Sequence, residues 1–342
     1  MSGKRSIRSR FRQGIAICLV LAVAVYGFFA IKEGSDEIGR QLLGFAWEWL
    51  PVLLALSLAN YGVRFIRWEL YLRMLDIRIP LRTSAAIFLA GLAMTITPGK
   101  LGEFLKSYLL KESAGVPMAR SAPIVFVERV TDLLSLLLLA SFGVATYRPE
   151  AVSLVVIALA VSAASIAILQ SEPLTNRVLG QVERIPIGSK LAPKIREAVD
   201  ASRALLGFRP LVLGVGLAAL AWFFECAEYS LVFKGFDQDF PMGAAVFGYS
   251  FSTVAGVVAP GGVGPTDIFL IELAQLQDSI DGGVATAASF IVRVATLWLA
   301  VLLGALALLR FGKMLDVDVD AAREDESDDS DPAPPDERIQ RL

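Results

Sequence analysis

Long apolar runs, interrupted at two places by Gly and Pro, set the pattern of this chain. Apolar residues dominate 14–31, the stretch that begins near Pro51, 122–147, 151–169, 211–233 and 284–309. Each is close to the roughly 20 residues a helix needs to cross the hydrocarbon core of a bilayer. Two shorter pieces, 84–97 and 244–259, stop at the breaks Thr97-Pro98-Gly99-Lys100-Leu101-Gly102-Glu103 and Ala259-Pro260-Gly261-Gly262-Val263-Gly264-Pro265-Thr266-Asp267, and apolar helix resumes at 101–110 and 268–276. Non-helical backbone at membrane depth survives only where protein or a water-filled cavity satisfies its freed N–H and C=O groups. The pattern therefore predicts an all-α polytopic membrane protein with about six full transmembrane helices plus two re-entrant helical hairpins. Ordinary loops between short spans are the plainer alternative for the two breaks. The run at 14–31 is long for a signal-peptide core and lacks a small-residue cleavage site, so it reads as a retained first helix.

Charge orients these elements. Residues 1–12 hold five Lys/Arg and no acid, whereas 316–342 hold eleven acids against three Arg. The expected layout is a basic cytoplasmic arm at 1–12, a transmembrane domain at 13–312 and an acidic, disordered cytoplasmic tail at 313–342. The largest loop, 170–209, carries seven Lys/Arg against four acids and so is placed inside. Pro173, Pro186 and Pro193 should interrupt it, with a surface helix from about 194 to 208. The chain has no His, which excludes imidazole catalysis and His metal sites. Its two cysteines, Cys18 and Cys226, lie in apolar runs and imply neither a disulfide framework nor a Cys metal site. No cofactor, metal or catalytic residue is indicated.

Charged residues inside apolar runs are the candidate site. Arg64 and Arg67 share a helix face; they are either snorkelling anchors or a site for lipid phosphate, and Trp68 with Tyr71 fits an interfacial aromatic belt. At the first break Gly99 and Gly102 allow close backbone approach, the restarting helix points its amides toward an anion, and Lys100, Glu103 and Lys106 add charge. Glu128, Arg129 and Asp132 cluster at one helical spacing, Glu225 and Glu228 at another, and Arg293 lies in the last span. An unpaired charge at the bilayer centre costs ~2.5–3.5 kcal/mol on insertion scales. Arg129 and Arg293 should therefore find carboxylates or lipid phosphate, with Glu103, Glu128, Asp132, Glu225 and Glu228 as the candidates.

The halves match in order. Pro51 pairs with Pro210, Pro80 with Pro241, Pro98 with Pro260, and Arg129-Val130 with Arg293-Val294, at separations of 159 to 164 residues. An odd number of full spans between the two starts turns the second copy upside down, so repeat halves at about 50–170 and 210–311 form an inverted repeat. In such a repeat the two breaks converge near the membrane centre. Lys100, Arg129 and Arg293, with the amides around Gly99 and Gly261, would then hold phosphate, while Glu103 and Asp267 would neutralise a cationic headgroup or exchange a proton.

Pro98-Gly99-Lys100-Leu101-Gly102-Glu103 with Lys106, Glu128-Arg129, and Pro260-Gly261-Gly262-Val263-Gly264 resemble the lysylphosphatidylglycerol synthase transmembrane family, also called flippase-like or UPF0104, over roughly residues 14–312. That family's second motif is followed by an acid, a place Asp267 could fill, although Pro265 and Thr266 replace the more usual apolar residues. The resemblance implies a transporter, a flippase for a phospholipid or polyprenyl-phosphate-linked headgroup in the cell membrane. It implies no enzyme, since the relatives that aminoacylate lipids do so with a separate transferase domain. A membrane-embedded lipid-modifying transferase, or a scaffold or regulator of lipid or envelope synthesis, is the alternative. Expected partners are a membrane lipid or lipid-linked substrate, with a homo-oligomer or a separate lipid-modifying enzyme as further candidates and no nucleic acid.

Overall fold

A computed structural model describes residues 28, 31, 35–97, 102–173, 176–177, 180 and 188–310. Most of the predicted first span, residues 174–175, 178–179 and 181–187 of the large loop, the acidic tail and Pro98, Gly99, Lys100 and Leu101 lie outside the described residues. Among the described residues every regular element is helical. Four helical stretches are long and apolar enough to cross a membrane, Trp47–Met74, Pro149–Gln170, Phe208–Phe236 and Gly282–Arg310, and shorter apolar helices lie between them.

The order of elements follows the prolines and glycines. After α1 (Ser35–Gly44), the long α2 (Leu50–Met74) starts with Pro51 in its first turn, where a missing N–H costs nothing. The short α3 (Leu81–Leu92) is preceded by Pro80 and tightens into a 3₁₀ turn at Ala93–Ile96. Beyond the first break, α4 (Leu105–Ala114) ends on Gly115 in the left-handed conformation, a position that favours glycine. Helix α5 (Met118–Ser141) follows Pro117; a single turn, α6 (Val144–Tyr147), leads through a 3₁₀ turn to α7 (Val152–Gln170). The span expected to reach 147 thus stops at Ser141. Gly143 lies so close to Phe247 that a Cβ there would come within 2.7 Å of that side chain, and the chain turns at this contact. Apart from Val155, α7 exposes nearly its whole apolar surface, as a lipid-facing helix does.

The second half repeats the plan. Helix α8 (Gly188–Leu205) carries Pro193 near its start, where one backbone bond is forgone, so this proline does not interrupt the segment as expected. Then come α9 (Phe208–Leu231), α10 (Met242–Ala255) behind Pro241, the second break with a 3₁₀ turn at Pro260–Gly262, α11 (Pro265–Ala274) and α12 (Gly282–Arg293). Helix α12 runs through a π-helical stretch at Val294–Trp298 into the last turns of the span. Pro80 and Pro241 adopt almost the same backbone, φ −56°, ψ 136° and φ −60°, ψ 134°, and α4 and α11 are both 10 residues long.

Helices α2 and α9 pack against each other and run antiparallel. Ser57 meets Glu228, Asn60 meets the carbonyl of Ala221, and Tyr71 fills the space a Cβ on Gly214 would take, so positions rise along one helix as they fall along the other. Small residues bring α12 close to its neighbours, with nearly all of Gly283–Arg293 buried. Farther along the same span a Cβ on Gly304 would overlap the backbone of Ala93, so this helix crosses directly over the 3₁₀ turn before the first break. The two breaks adjoin: Gly261 sits against the Cα of Ile96, the last residue of that turn.

Candidate functional site

One face of α2 builds most of the polar interior. Ser57, Asn60, Tyr61, Arg64, Arg67, Trp68 and Tyr71 recur at spacings of three and four, the period that puts side chains in one stripe. The whole stripe is buried, which a membrane span permits only if each polar group has a partner. Arg67 is 1% exposed and Arg64 7%, so neither snorkels to the headgroup layer. Trp68 and Tyr71 are also fully enclosed; the expected interfacial belt is wrong for both. The stripe turns inward against α3, α5 and α9, and the Trp68 indole N–H donates to the Ser84 hydroxyl at 3.1 Å.

Around the first break the stripe joins an ion-pair network. Arg67 Nη1 lies 2.7 Å from Asp132 Oδ1 and donates to Thr131 Oγ1 at 3.2 Å. Arg129 Nη2 lies 3.1 Å from Glu103 Oε2 and 3.0 Å from Asp132 Oδ2. Lys106 pairs with Glu128, is 3.8 Å from Glu103 Oε2, and stands 4.7 Å over the Trp68 ring. Arg64 has the loosest hold, with Nη2 3.9 Å from Glu103 Oε1 and no acceptor for its Nε. Gly91 leaves room for the stem of Lys106, and Gly102 donates its N–H to Thr97 Oγ1 at 2.7 Å, where a Cβ would clash with Thr97 and Met94.

The second break is simpler. Gly261, Gly262 and Gly264 have φ of 61°, 71° and 100°, conformations that glycine adopts readily and most other residues rarely. The non-helical stretch ends at Gly264, because Pro265 opens α11 and Asp267 is its third residue. Asp267 accepts the Gly264 N–H at 2.9 Å and pairs with Arg293 Nε at 3.1 Å. Arg293 also donates to the Gly261 carbonyl. Arg129 thus has two of the anticipated carboxylates, while Arg293 is held by one that the candidate set for it did not include.

Between the breaks lies a cavity of about 150 Å³. It brings together Arg64, Arg129, Asp132, Glu225, Gly261, Gly262 and Arg293 of the sequence-derived candidates. Arg67, Glu103, Lys106, Glu128 and Asp267 stand behind this wall as charge partners, and Glu228 is enclosed between α2 and α9. Gly102 shapes the first turn, and Pro260 and Gly264 shape the second. Tyr61, Trp222, Tyr249 and Thr266 line the cavity without having been singled out. Tyr61 donates to the Thr296 carbonyl, and Tyr249 donates to Glu225 Oε2 at 2.7 Å. The signal that could have found Tyr61, with Ser57 and Asn60, is the helical spacing of polar residues along α2.

A buried cavity thus brings together Arg64, Arg129 and Arg293 with the glycines of the second break. Residues 15–304 match the lysylphosphatidylglycerol synthase TM region. The chain belongs to this family. No curated protein matches it. The family match spans both breaks and every cavity-lining residue, so the candidate site lies wholly within the TM region.

Proposed function

We propose that this member of the lysylphosphatidylglycerol synthase TM region family is a lipid transporter that passes a phosphate-bearing headgroup across the bilayer. The observation that carries this reading is the cavity itself, in which Arg64, Arg129 and Arg293 face the backbone of Gly261 and Gly262. Arginine offers five donors and cannot lose its charge, and its planar fork matches phosphate oxygens. The volume is below the roughly 300 Å³ of a site for a drug-sized molecule. It suits a phosphate and its nearest atoms, while the acyl or prenyl tails stay in the lipid.

In this reading the protein has six full spans and two re-entrant hairpins, with both termini cytoplasmic. The antiparallel packing of α2 on α9, which occupy equivalent places in the two halves, supports an inverted repeat. Transporters of that architecture bind substrate at the repeat interface, where the cavity lies. The test is reconstitution into liposomes carrying fluorescent nitrobenzoxadiazole-labelled phosphatidylglycerol, with dithionite added outside. Protein-dependent loss of the protected inner-leaflet signal is expected. A signal identical to that of protein-free vesicles, across phosphatidylglycerol and polyprenyl-phosphate probes alike, would refute the proposal.

A further inference from the structure

Glu228 has surroundings unlike those of the network acids. Glu103, Glu128, Asp132 and Asp267 each lie within 4.0 Å of an Arg or Lys nitrogen. Glu228 has no such contact among the described residues. It is fully buried; its Oε2 accepts from the Ser57 hydroxyl at 2.7 Å, and its Oε1 has no hydrogen-bond partner. One turn along α2, Asn60 donates its amide to the Ala221 carbonyl at 2.7 Å and leaves its own Oδ1 without a donor. Two buried oxygens in one helix seam are therefore orphaned, and such oxygens are where a bound proton, ion or water belongs.

The groups near Glu228 are Ser57 and Tyr61 from α2, Tyr249 from α10 and Glu225 from its own helix; Asn60 lies one turn along α2 from Ser57, and Arg64 and Arg293 are farther off beside the two tyrosines. A bare carboxylate enclosed among these neighbours is strongly disfavoured unless a cation neutralises it. The donors are all oxygens, which suits a hard cation. Among the described residues no three acidic, Cys or His side chains gather as a metal-binding group, so the small charge of the seam fits a monovalent guest. Glu225 connects the seam to the cavity, because it lies one turn from Glu228 and also lines the cavity wall.

We propose that Glu228, with Ser57, Asn60 and Glu225, binds a small monovalent cation, a proton or Na⁺, and that its occupancy is coupled to anion binding in the adjoining cavity. Binding of the cation removes negative charge from the seam beside Glu225, which lines the cavity with Arg64 and Arg293, and so strengthens the cavity's hold on an anion; by reciprocity the anion strengthens cation binding. The coupling half of the proposal rests on the reading of the cavity as a headgroup site. The cation site does not.

Two measurements separate these halves. The first is the thermal unfolding midpoint of the purified full-length protein in detergent, in NaCl against choline chloride and at acid against neutral pH. The wild type should be stabilised by Na⁺ or by acid, whichever is the guest, and Glu228→Gln should lose that difference while remaining folded. Ser57→Ala and Asn60→Leu should reduce it, and they carry the test should Glu228→Gln fail to insert. Identical responses in the wild type and all three variants overturn the cation site. The second is movement of labelled phosphatidylglycerol in liposomes under an imposed Na⁺ or pH gradient. One gradient should change the wild-type rate by about fivefold or more, with no change in Glu228→Gln. Lipid movement indifferent to both gradients overturns the coupling and leaves the transporter reading intact. Absence of any lipid movement removes that reading, and the cation site is then judged by the unfolding midpoints alone.

Discussion

The two breaks are each held by an Arg–carboxylate pair of the same length, while the long helices beside them, α2 and α9, carry opposite charge. Arg129 and Arg293 hold equivalent places, and each lies 3.1 Å from an acid that follows the break in its own half, Glu103 or Asp267. Their helical neighbours differ. Arg64 and Arg67 on α2 are each 161 residues from Glu225 and Glu228 on α9, the same separation as Pro80 and Pro241. An Arg pair on α2 and a Glu pair on α9 thus lie on helices packed directly together. The first half gathers four basic groups, Arg64, Arg67, Lys106 and Arg129, around three acids. The second pairs Arg293 with Asp267 and adds two acids in the seam. Basic groups thus gather at the first break, while the seam between α2 and α9 adds acids.

The comparison breaks most sharply at Asp267. Arg129 is shared by Glu103 and Asp132, so losing either acid leaves the other in place. Arg293 is held by Asp267 at 3.1 Å, and both are buried. Asp267→Ala should cost about 3–5 kcal/mol, the range for breaking a buried pair. Glu103→Ala should cost less, about 1–3 kcal/mol. Denaturant unfolding in mixed micelles measures both. Equal losses would mean that the first-half network does not share its charge as the distances indicate.

A smaller difference is expected at the two glycine-bearing breaks. Gly262 has φ of 71°, and a Cβ there would stand 2.6 Å from Thr266 Oγ1, so Gly262→Ala meets both backbone strain and a contact. Left-handed strain of this kind costs about 1–3 kcal/mol. Gly102 meets only the contacts with Thr97 and Met94. Lipid movement in liposomes should fall further in Gly262→Ala than in Gly102→Ala, and both should insert normally. The reverse order would place the tighter constraint at the first break.

Much of this architecture was legible because proline and glycine mark it. Pro80, Pro117 and Pro241 each stand immediately before a helix, and Pro260 and the glycines beside it form the second turn. The Arg129–Asp132 pair was legible from its spacing alone. Burial was harder to read. An interfacial Trp68 and an enclosed Trp68 have the same sequence context, and only packing against α3 to α5 decides between them. Ser57 and Asn60 escaped notice because isolated small polar residues are common in spans, and their partners are more than 160 residues away. The 161-residue separation of Arg64 from Glu225 escaped notice because matching by residue type passes over opposite charges.

The finest test separates two arginines one turn apart on the same helix. Arg67 is bound at 2.7 Å to Asp132 and lies behind the cavity wall; Arg64 lines the cavity and touches an acid only at 3.9 Å. Removing Arg67 leaves a buried carboxylate short of a partner, so Arg67→Gln should lower the unfolding midpoint and reduce transport only through loss of folded protein. Arg64→Gln breaks a much weaker contact, so stability should stay near that of the wild type. What it removes is a guanidinium facing the proposed phosphate. Loss of one charge-assisted contact of about 1.4 kcal/mol should slow movement of labelled phosphatidylglycerol roughly tenfold at limiting lipid. Arg64→Lys should recover part of the rate, because it restores the charge without the planar fork. Wild-type transport in Arg64→Gln would detach the first half from anion binding and leave the opposite charges of α2 and α9 as a feature of packing alone.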